Sequence, residues 1–273
     1  MPPSLFSRWL SPCLDHTRFG PFILVVLTVL VPHLAWAGCA PVAMGKPGVW
    51  RASTGDTSLS ITFLGHASFE IETPSGVRAV TDYNGYNIPA GPPDIATMNH
   101  AHSTHYTLTP DRRIRHVLHG WAENGVNPSH SVVLRDMRVT NLPTNIRNYA
   151  GGTEIHGNSI FVFESAGLCI AHLGHLHHLL EPRDLDALGR IDVVMVPVDG
   201  IWTMSQQDAV AVVEQLHPRV VLPMHYFTPD VLGRFLSQVR DRYAIETRDS
   251  PVLEISRATL PDRPTVIALP GGY

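Results

Sequence analysis

Asp94-Ile-Ala-Thr-Met-Asn-His-Ala-His-Ser-Thr-His105 is the stretch that decides the fold, because a short apolar run leads directly into a cluster of histidines. The apolar residues predict a buried strand. His100 and His102 leave that strand one residue apart, so both rings can enter one concavity, and His105 follows three residues later. Imidazole is the commonest metal ligand in proteins. The stretch therefore predicts a metal site at the end of a strand.

Three other predicted strands are followed by residues that can bind a metal ion or orient its ligands. His172 and His225 each follow an apolar run in the second half of the chain, and Asp82 follows one in the first half. Because the strands of a layered α/β fold end at one edge, we expect these side chains to converge there. Three neutral imidazoles around one zinc ion, with a fourth position open, form the arrangement that hydrolytic zinc sites use.

The remainder of the sequence indicates one α/β domain. Short apolar runs alternate with turn residues from Ser58 onward, and in the second half such runs alternate with helices. No Gly-, Ser- or Pro-rich linker divides the chain, so residues 58–256 are expected to form a single α/β sandwich. Helices are predicted at Leu185–Leu188, Ser205–Leu216 and Pro229–Arg240. Residues 38–57 are expected to be a flexible lead-in, and residues 257–273 a C-terminal tail.

Residues 1–37 have the features of a signal peptide. Arg8 and Arg18 precede the apolar stretch 19–32, and Ala35-Trp-Ala37 matches the small-x-small pattern of a cleavage site. The sequence therefore predicts an exported protein, periplasmic or secreted. An uncleaved N-terminal anchor is the alternative, although the apolar run is shorter than the ~20 residues of a spanning helix.

The cysteines do not predict a disulfide framework. Cleavage after residue 37 leaves Cys39 and Cys169. Cys39 stands two residues beyond the cut, where a lipoprotein signal would end, so a lipid anchor at Cys39 is an alternative to an ordinary exposed thiol. Cys169 lies in an apolar strand pattern and is expected to be a buried thiol. Membrane contact is expected only through the signal or through this lipid.

Composition and charge exclude two classes of protein. Of the 273 residues, 44% are hydrophobic and 16% charged, which is sufficient to bury a full core and argues against disorder. The chain carries 20 basic against 24 acidic residues, a formal charge of −4. It therefore lacks the cationic footprint of a nucleic-acid-binding protein.

The ordered motifs resemble the metallo-β-lactamase superfamily, and most of all its ascorbate-phosphate lactonase-like and phosphodiesterase-like branch. The resemblance rests on His-x-His-x-x-His from His100 to His105, on His172 before a glycine, and on Pro223-Met-His225, together with Phe63-Leu-Gly-His-Ala-Ser-Phe69. It covers roughly residues 58–256. It implies a four-layered αββα sandwich with a metal site on one edge.

The resemblance also implies the ligands and shows two departures from them. By analogy, the first metal is expected to bind His100, His102 and His172, and the second His105 and His225. Thr104 stands where the family usually has Asp, and His175 where it has a metal-bridging Asp. Both changes remove anionic ligands that would offset the repulsion between two divalent ions. One firmly bound metal is therefore expected, zinc in preference to manganese or iron, with His175 as a further candidate ligand and the second ion left open.

The function expected from these residues is metal-dependent hydrolysis. A metal-bound hydroxide would attack an ester, lactone or phosphodiester bond in a small substrate, and an imidazole-only site favours an anionic one. His175 or His178 is expected to accept the proton. A non-catalytic metal-binding module on a degenerate hydrolase fold is the alternative. Four residues are expected to support the ligands or contact the substrate: His66, Asp82, Thr104 and Asp199.

Overall fold

The computed structural model describes Cys39, residues 58–148 and residues 150–271. The described residues form two sheets that share one hydrophobic core, flanked by three helices. The predicted αββα sandwich is confirmed. The first sheet has the strand order β13-β1-β2-β3-β4-β5 and the second the order β12-β14-β11-β10-β9-β8-β7-β6.

The strands and helices follow one another in a simple order along the chain. Those of the first half are β1 (Leu59–Gly65), β2 (Ser68–Glu72), β3 (Arg78–Val80), β4 (Ile95–Met98), β5 (His116–His119), β6 (Ser131–Leu134), β7 (Met137–Arg147) and β8 (Thr153–Ser165). Those of the second half are β9 (Leu168–His172), α1 (Pro182–Leu188), β10 (Val193–Pro197), α2 (Gln206–Leu216), β11 (Val220–Met224), α3 (Pro229–Val239), β12 (Ala244–Thr247), β13 (Val252–Ile255) and β14 (Thr265–Ala268).

Parallel pairing brings the functional strand ends to the same edge. β9, β10 and β11 are parallel neighbours, and every residue of the three is buried. Their continuous Val, Ile and Met runs are typical of parallel strands covered on both faces. β3 and β4 are also parallel neighbours in the first sheet. The carboxyl ends of these strands carry the motifs that the sequence singled out.

α2 and α3 begin where predicted, whereas α1 begins at Pro182, three residues before the predicted Leu185. The Ser205 hydroxyl accepts the backbone N–H of Asp208 at 3.0 Å and caps α2. Thr228 caps α3, which has proline in its first turn. A side chain that accepts one of the unpaired amides at a helix start stabilises it by about 1 kcal/mol.

The sheet continues beyond the predicted end of the domain. β14 lies between β11 and β12 in the second sheet and is entirely buried, so the expectation of a loose tail is wrong there. The strand is a short run of four residues, Thr265-Val-Ile-Ala268, and it lies between Pro264 and Pro270. The sequence did not predict this interior strand, because a short segment between prolines does not show which strands it will pair with.

A disulfide joins Cys39 to Cys169, which corrects the expectation of two free thiols. Cys39 is buried, and its carbonyl oxygen accepts the backbone N–H of Arg190 at 3.0 Å. In this structure the Cys39 sulfur is not available for a lipid thioether. The predicted signal peptide and the rest of the lead-in lie outside the described residues. Within the ranges described, no helix is both long and apolar enough to cross a membrane.

Candidate metal centre

Six imidazole rings gather at one edge of the sandwich, where β1, β4, β9 and β11 end. His66 lies 4.3 Å from His225 between ring centroids, and His225 lies 5.0 Å from His105. His175 lies 4.9 Å from both His105 and His100. The sixth ring, His102, stacks parallel to His100 at 6.3 Å. We call these six residues the histidine cluster.

Three residues in or beside the cluster have strained backbone conformations. His66, Asp82 and His225 all have positive φ angles, 53°, 44° and 55°, in the left-handed region that side chains other than glycine rarely adopt. His66 and His225 directly follow β1 and β11, Asp82 lies two residues beyond β3, and the N–H of His225 donates to the carbonyl oxygen of His66 at 2.7 Å. Such conformations cost about 1–3 kcal/mol each and are found preferentially at functional sites.

Two buried carboxylates orient two of the rings. Asp82 accepts a hydrogen bond from Nδ1 of His105 at 2.6 Å, and Asp199 accepts one from Nδ1 of His225 at 3.1 Å. A neutral imidazole with its proton on Nδ1 has a lone pair on Nε2. Carboxylates behind the ligand rings are the usual way in which metal-binding histidines are held. Both Nε2 atoms are therefore prepared to bind a cation.

The arrangement of these Nε2 atoms fits a metal ion. Those of His105 and His225 face each other 3.2 Å apart, which places two lone pairs in opposition unless a cation lies beside them. Nε2 of His66 is buried and has no hydrogen-bond partner among the described residues. The donor atoms of these three residues lie within 4.8 Å of one another. The donor set thus consists of three imidazole nitrogens: Nε2 of His66, which lacks a partner among the described residues, and the facing Nε2 atoms of His105 and His225. Imidazole donors of this kind suit a transition metal.

Burial keeps four rings of the cluster neutral at physiological pH, those of His66, His100, His105 and His175. Burial, followed by the charge of His225, lowers the pKa of His66 to about 3. The pKa of His105 is well below its ordinary value because the ring is fully buried, with His225 as the next cause. Burial also lowers the pKa values of His100 and His175. Neutral imidazole is the form that binds metal, so a cation meets little competition from protons here.

The two carboxylates are shifted in opposite directions. Burial raises the pKa of Asp82 to about 6, although the nearby His172 and the N–H of Asn99 oppose the shift. Burial also acts to raise the pKa of Asp199, but its hydrogen bonds to His225 and Thr203 outweigh that effect and hold the pKa below its usual range. Both groups are ionised at neutral pH and place negative charge behind His105 and His225.

His100 and His102 line the cluster on its more open side. Nδ1 of His100 donates to the carbonyl oxygen of Gly157 at 2.7 Å, which leaves a lone pair on Nε2. Nδ1 of His102 lies 3.0 Å from the hydroxyl of Thr104. Thr104 therefore holds a ring of the cluster from behind. Both rings are partly exposed, unlike those of His105 and His225.

Comparisons with known proteins agree with this geometry. The model of the beta-lactamase superfamily domain matches residues 60–225. This chain belongs to the beta-lactamase superfamily. A metal-dependent hydrolase of Methanosarcina mazei is 26% identical over 223 residues, which cover 72% of this chain and 96% of that protein. The prediction of the superfamily, and of a metal-dependent hydrolase within it, is confirmed.

Two solved structures share the fold of this chain. A Thermotoga maritima protein, assigned to the superfamily's Zn-dependent hydrolases, has a TM-score of 0.58 and 26% identity, covering 79% of this chain and all of that one. A diiron β-hydroxylase from Streptomyces venezuelae has a TM-score of 0.56 at 11% identity, covering 75% of this chain and 55% of that one. The second likeness shows the fold alone.

One ligand expected from the superfamily pattern lies elsewhere. His172 is fully buried, its Nε2 donates to the carbonyl oxygen of Ala67 at 2.8 Å, and its Nδ1 accepts the N–H of Gly174 at 3.2 Å. Both ring nitrogens are thus occupied by backbone, and among the described residues its ring contacts Phe69 and none of the histidine cluster. The predicted triad of His100, His102 and His172 is therefore not assembled, because the ring at the end of β9 turns into the core.

Two further residues are placed differently from expectation. His178 bonds to the carbonyl oxygen of Leu179, and in the described part of the chain it makes no ring contact with the cluster. Its neighbour His177 is the one that reaches the cluster, with Nε2 2.8 Å from Nδ1 of His175. His66, expected only beside the site, carries one of the three convergent donor atoms. Its signal in the sequence was a histidine in the turn Gly65-His66-Ala67, directly after a strand.

Proposed function

We propose that this protein is an exported hydrolase of small anionic esters, lactones or phosphodiesters, and that His66, His105 and His225 hold its metal ion, zinc in preference to manganese or iron. The opposed Nε2 atoms of His105 and His225, 3.2 Å apart, are the observation that carries this proposal. When bound, a divalent cation lowers the pKa of a water ligand and polarises the bond to be cleaved. The two carboxylates hold the rings in place for it.

The surroundings of the cluster support a substrate that carries both an anion and an apolar group. Arg147 is exposed, its Nη2 donates to the carbonyl oxygen of Thr203 at 3.3 Å, and it forms no ion pair among the described residues. Burial, followed by the positive charge of Arg147, lowers the pKa of the adjacent His177. Phe227 packs its ring 5.4 Å from His225 and remains 44% exposed. A guanidinium and an aromatic face therefore flank the approach to the rings.

The disulfide supports export. Disulfides persist in oxidising compartments and are rare in the cytosol of most organisms. The Cys39–Cys169 bond stands two residues after the predicted cleavage position, so the mature chain would begin almost at its disulfide. A periplasmic or secreted location agrees with both features, and the same bond speaks against lipidation of Cys39.

Metal content and turnover of the purified mature protein test the proposal. We expect one zinc ion per chain by elemental analysis and hydrolysis of at least one ester, lactone or phosphodiester in a panel. His105→Ala or His225→Ala should lower zinc content and reduce the rate by at least about 10²-fold, because either change removes a donor from the cation.

His116→Gln is the matched control, since His116 lies on β5 and its ring makes no hydrogen bond or ring contact within the described residues. It should retain zinc and activity. A tightly bound metal without turnover of any substrate class would favour the alternative, a non-catalytic metal-binding module. Full zinc content in both alanine variants would contradict the assigned donors.

A further inference from the structure

We infer that His175 presents a hydrogen-bond donor to the substrate oxygen rather than a ligand to the metal, and that His177 is the positioning residue that sets this state. The donor role rests on the proposed function. A chain of two hydrogen bonds determines which ring nitrogen of His175 carries the proton. It runs from the backbone N–H of Arg147 through His177 to His175.

The hydrogen bond received by Nδ1 of His177 determines where the proton of that ring lies. The backbone N–H of Arg147 points to Nδ1 of His177 at 3.3 Å. A backbone amide can only donate, so this Nδ1 must hold a lone pair. A neutral imidazole carries one proton, and that of His177 is therefore on Nε2.

The proton on Nε2 of His177 determines where the proton of His175 lies. Nε2 of His177 lies 2.8 Å from Nδ1 of His175. Because Nε2 of His177 is the donor, Nδ1 of His175 is the acceptor and holds a lone pair. The proton of neutral His175 is then on Nε2, the one remaining polar atom of the ring.

The ring of His175 lies edge-on to those of His105 and His225 in the cluster. Its ring lies 4.9 Å from His105 and 5.4 Å from His225 and is nearly perpendicular to both, at 86° and 87°. The backbone holds it there, because its N–H donates to the side-chain oxygen of Asn158 at 2.8 Å. The His175 ring therefore packs edge-on against the two rings whose Nε2 atoms are opposed.

The contrast with its neighbours separates the two roles. His105 and His225 have carboxylate acceptors on Nδ1 and lone pairs on Nε2, whereas His175 has a donor on Nδ1 and a proton on Nε2. A cation requires a lone pair, and an oxygen that gains negative charge requires a donor. A neutral imidazole N–H next to the metal donors is suited to stabilise the carbonyl or phosphoryl oxygen of the substrate as its charge develops.

Nuclear magnetic resonance of the metal-free protein tests the proton assignment directly. Two-bond ¹H–¹⁵N spectra distinguish a protonated ring nitrogen from one with a lone pair, and the His175 signals are identified by their loss in His175→Asn. We expect the proton on Nε2, and we expect it to stay there when Zn²⁺ is added. A proton on Nδ1, or loss of the Nε2 proton on zinc binding, would overturn the inference.

Two substitutions at His177 test its role. In His177→Gln the side-chain amide still offers an N–H to Nδ1 of His175, so zinc affinity and kcat should stay within about threefold of wild type. In His177→Glu the carboxylate accepts from Nδ1 and moves the proton away from Nε2. That variant should lose about 10²-fold in kcat, as when one oxyanion donor is removed. It should also bind Zn²⁺ about tenfold more tightly, because His175 becomes a carboxylate-backed ligand.

The outcomes separate this inference from the proposed function. Equal effects of Gln and Glu on zinc affinity and kcat would show a merely structural role for His177 and overturn the inference. If the wild type hydrolyses nothing in the panel, the proposed function fails, while the resonance and zinc measurements still decide the state of His175. His116→Gln again serves as the control and should leave every readout unchanged.

Discussion

At the scale of the residue, each histidine of the cluster is defined by the atom that its Nδ1 contacts. A carboxylate behind His105 or His225, or a carbonyl oxygen behind His100, leaves a lone pair facing the cluster. A donor behind His175 leaves a proton there instead. The amino-acid type alone does not determine which of these chemistries a position performs.

Asp199 offers a direct test of this principle. Asp199→Asn keeps one oxygen to receive the N–H of the following loop but removes the negative charge behind His225. We expect zinc affinity to fall by about 10–100-fold with little change in fold, as is usual when the partner of a metal-bound histidine is neutralised. Competition with a fluorescent zinc chelator measures the change.

Asp136→Asn is the matched control. Its carboxylate is also hydrogen-bonded, to Thr73 and Ser75, but in a turn that does not contact the histidine cluster. It should alter zinc affinity less than twofold. A comparable loss of affinity in both variants would mean that general destabilisation, and not the charge behind His225, accounts for the effect.

Residues of the site could be predicted from sequence only up to the strand end. The prediction brought His100, His102, His105 and His225 to one edge because each follows a buried strand, and the structure places them together. It misplaced His172, because a strand end does not show whether the last ring turns toward the edge or, as here, toward the carbonyl oxygen of Ala67. The state of His175 depends on a backbone amide in β7, which no local pattern reveals.

At the scale of the element, the turn after β9 positions His175 through a glycine. Gly174 has φ +59°, and a Cβ there would lie 2.5 Å from the side chains of both Asn99 and Asn158. Asn158 is the residue that receives the backbone N–H of His175. Close packing of the turn on these two amides therefore fixes where the His175 ring enters the cluster.

Replacing this glycine should disturb both stability and the site. We expect Gly174→Ala to reduce the free energy of unfolding by about 2–4 kcal/mol, since it combines an unfavourable φ with overpacking of buried groups. Urea denaturation measures the loss. Gly76→Ala is the control, because Gly76 also has positive φ but no atom within 4 Å of the added Cβ, so only the smaller conformational cost should be seen.

Elements were predicted well where periodicity and capping agree and poorly where pairing decides. α2 and α3 lie within one residue of their predicted ranges, Ser205–Leu216 and Pro229–Arg240. β14 was missed because four residues between prolines carry no periodic signal, and its stability comes from the parallel strands on either side. The Cys39–Cys169 bond was missed for a related reason, since pairing of residues 130 apart depends on the tertiary fold.

At the scale of the whole molecule, folding buries several neutral imidazoles and thereby makes stability depend on pH. Between pH 6.5 and about 3, the unfolded chain protonates His66 while the folded protein does not. The unfolded state then binds more protons, so stability falls as the pH falls, by up to about 1.4 kcal/mol per pH unit for each such histidine. His100, His105 and His175 shift in the same direction. Asp82 acts oppositely, since its pKa of about 6 favours the folded state as pH falls from 6 toward 3.8.

The metal-free protein should therefore lose stability steadily below pH 6.5, because these four histidines, with His172 and His177 shifted in the same direction, outweigh the one raised carboxyl group. Urea denaturation of chelator-treated protein at pH 7.5, 6.5, 5.5 and 4.5 measures the slope, and His66→Gln should make it shallower by removing one titrating ring. Added zinc should raise the free energy of unfolding by a similar amount at each of these pH values, because burial keeps His66 and His105 neutral in the folded state and protons compete little with the metal there. A free energy of unfolding that is constant from pH 7.5 to 4.5 would contradict the burial of these rings as neutral donors, and with it the preparation of the cluster for a cation.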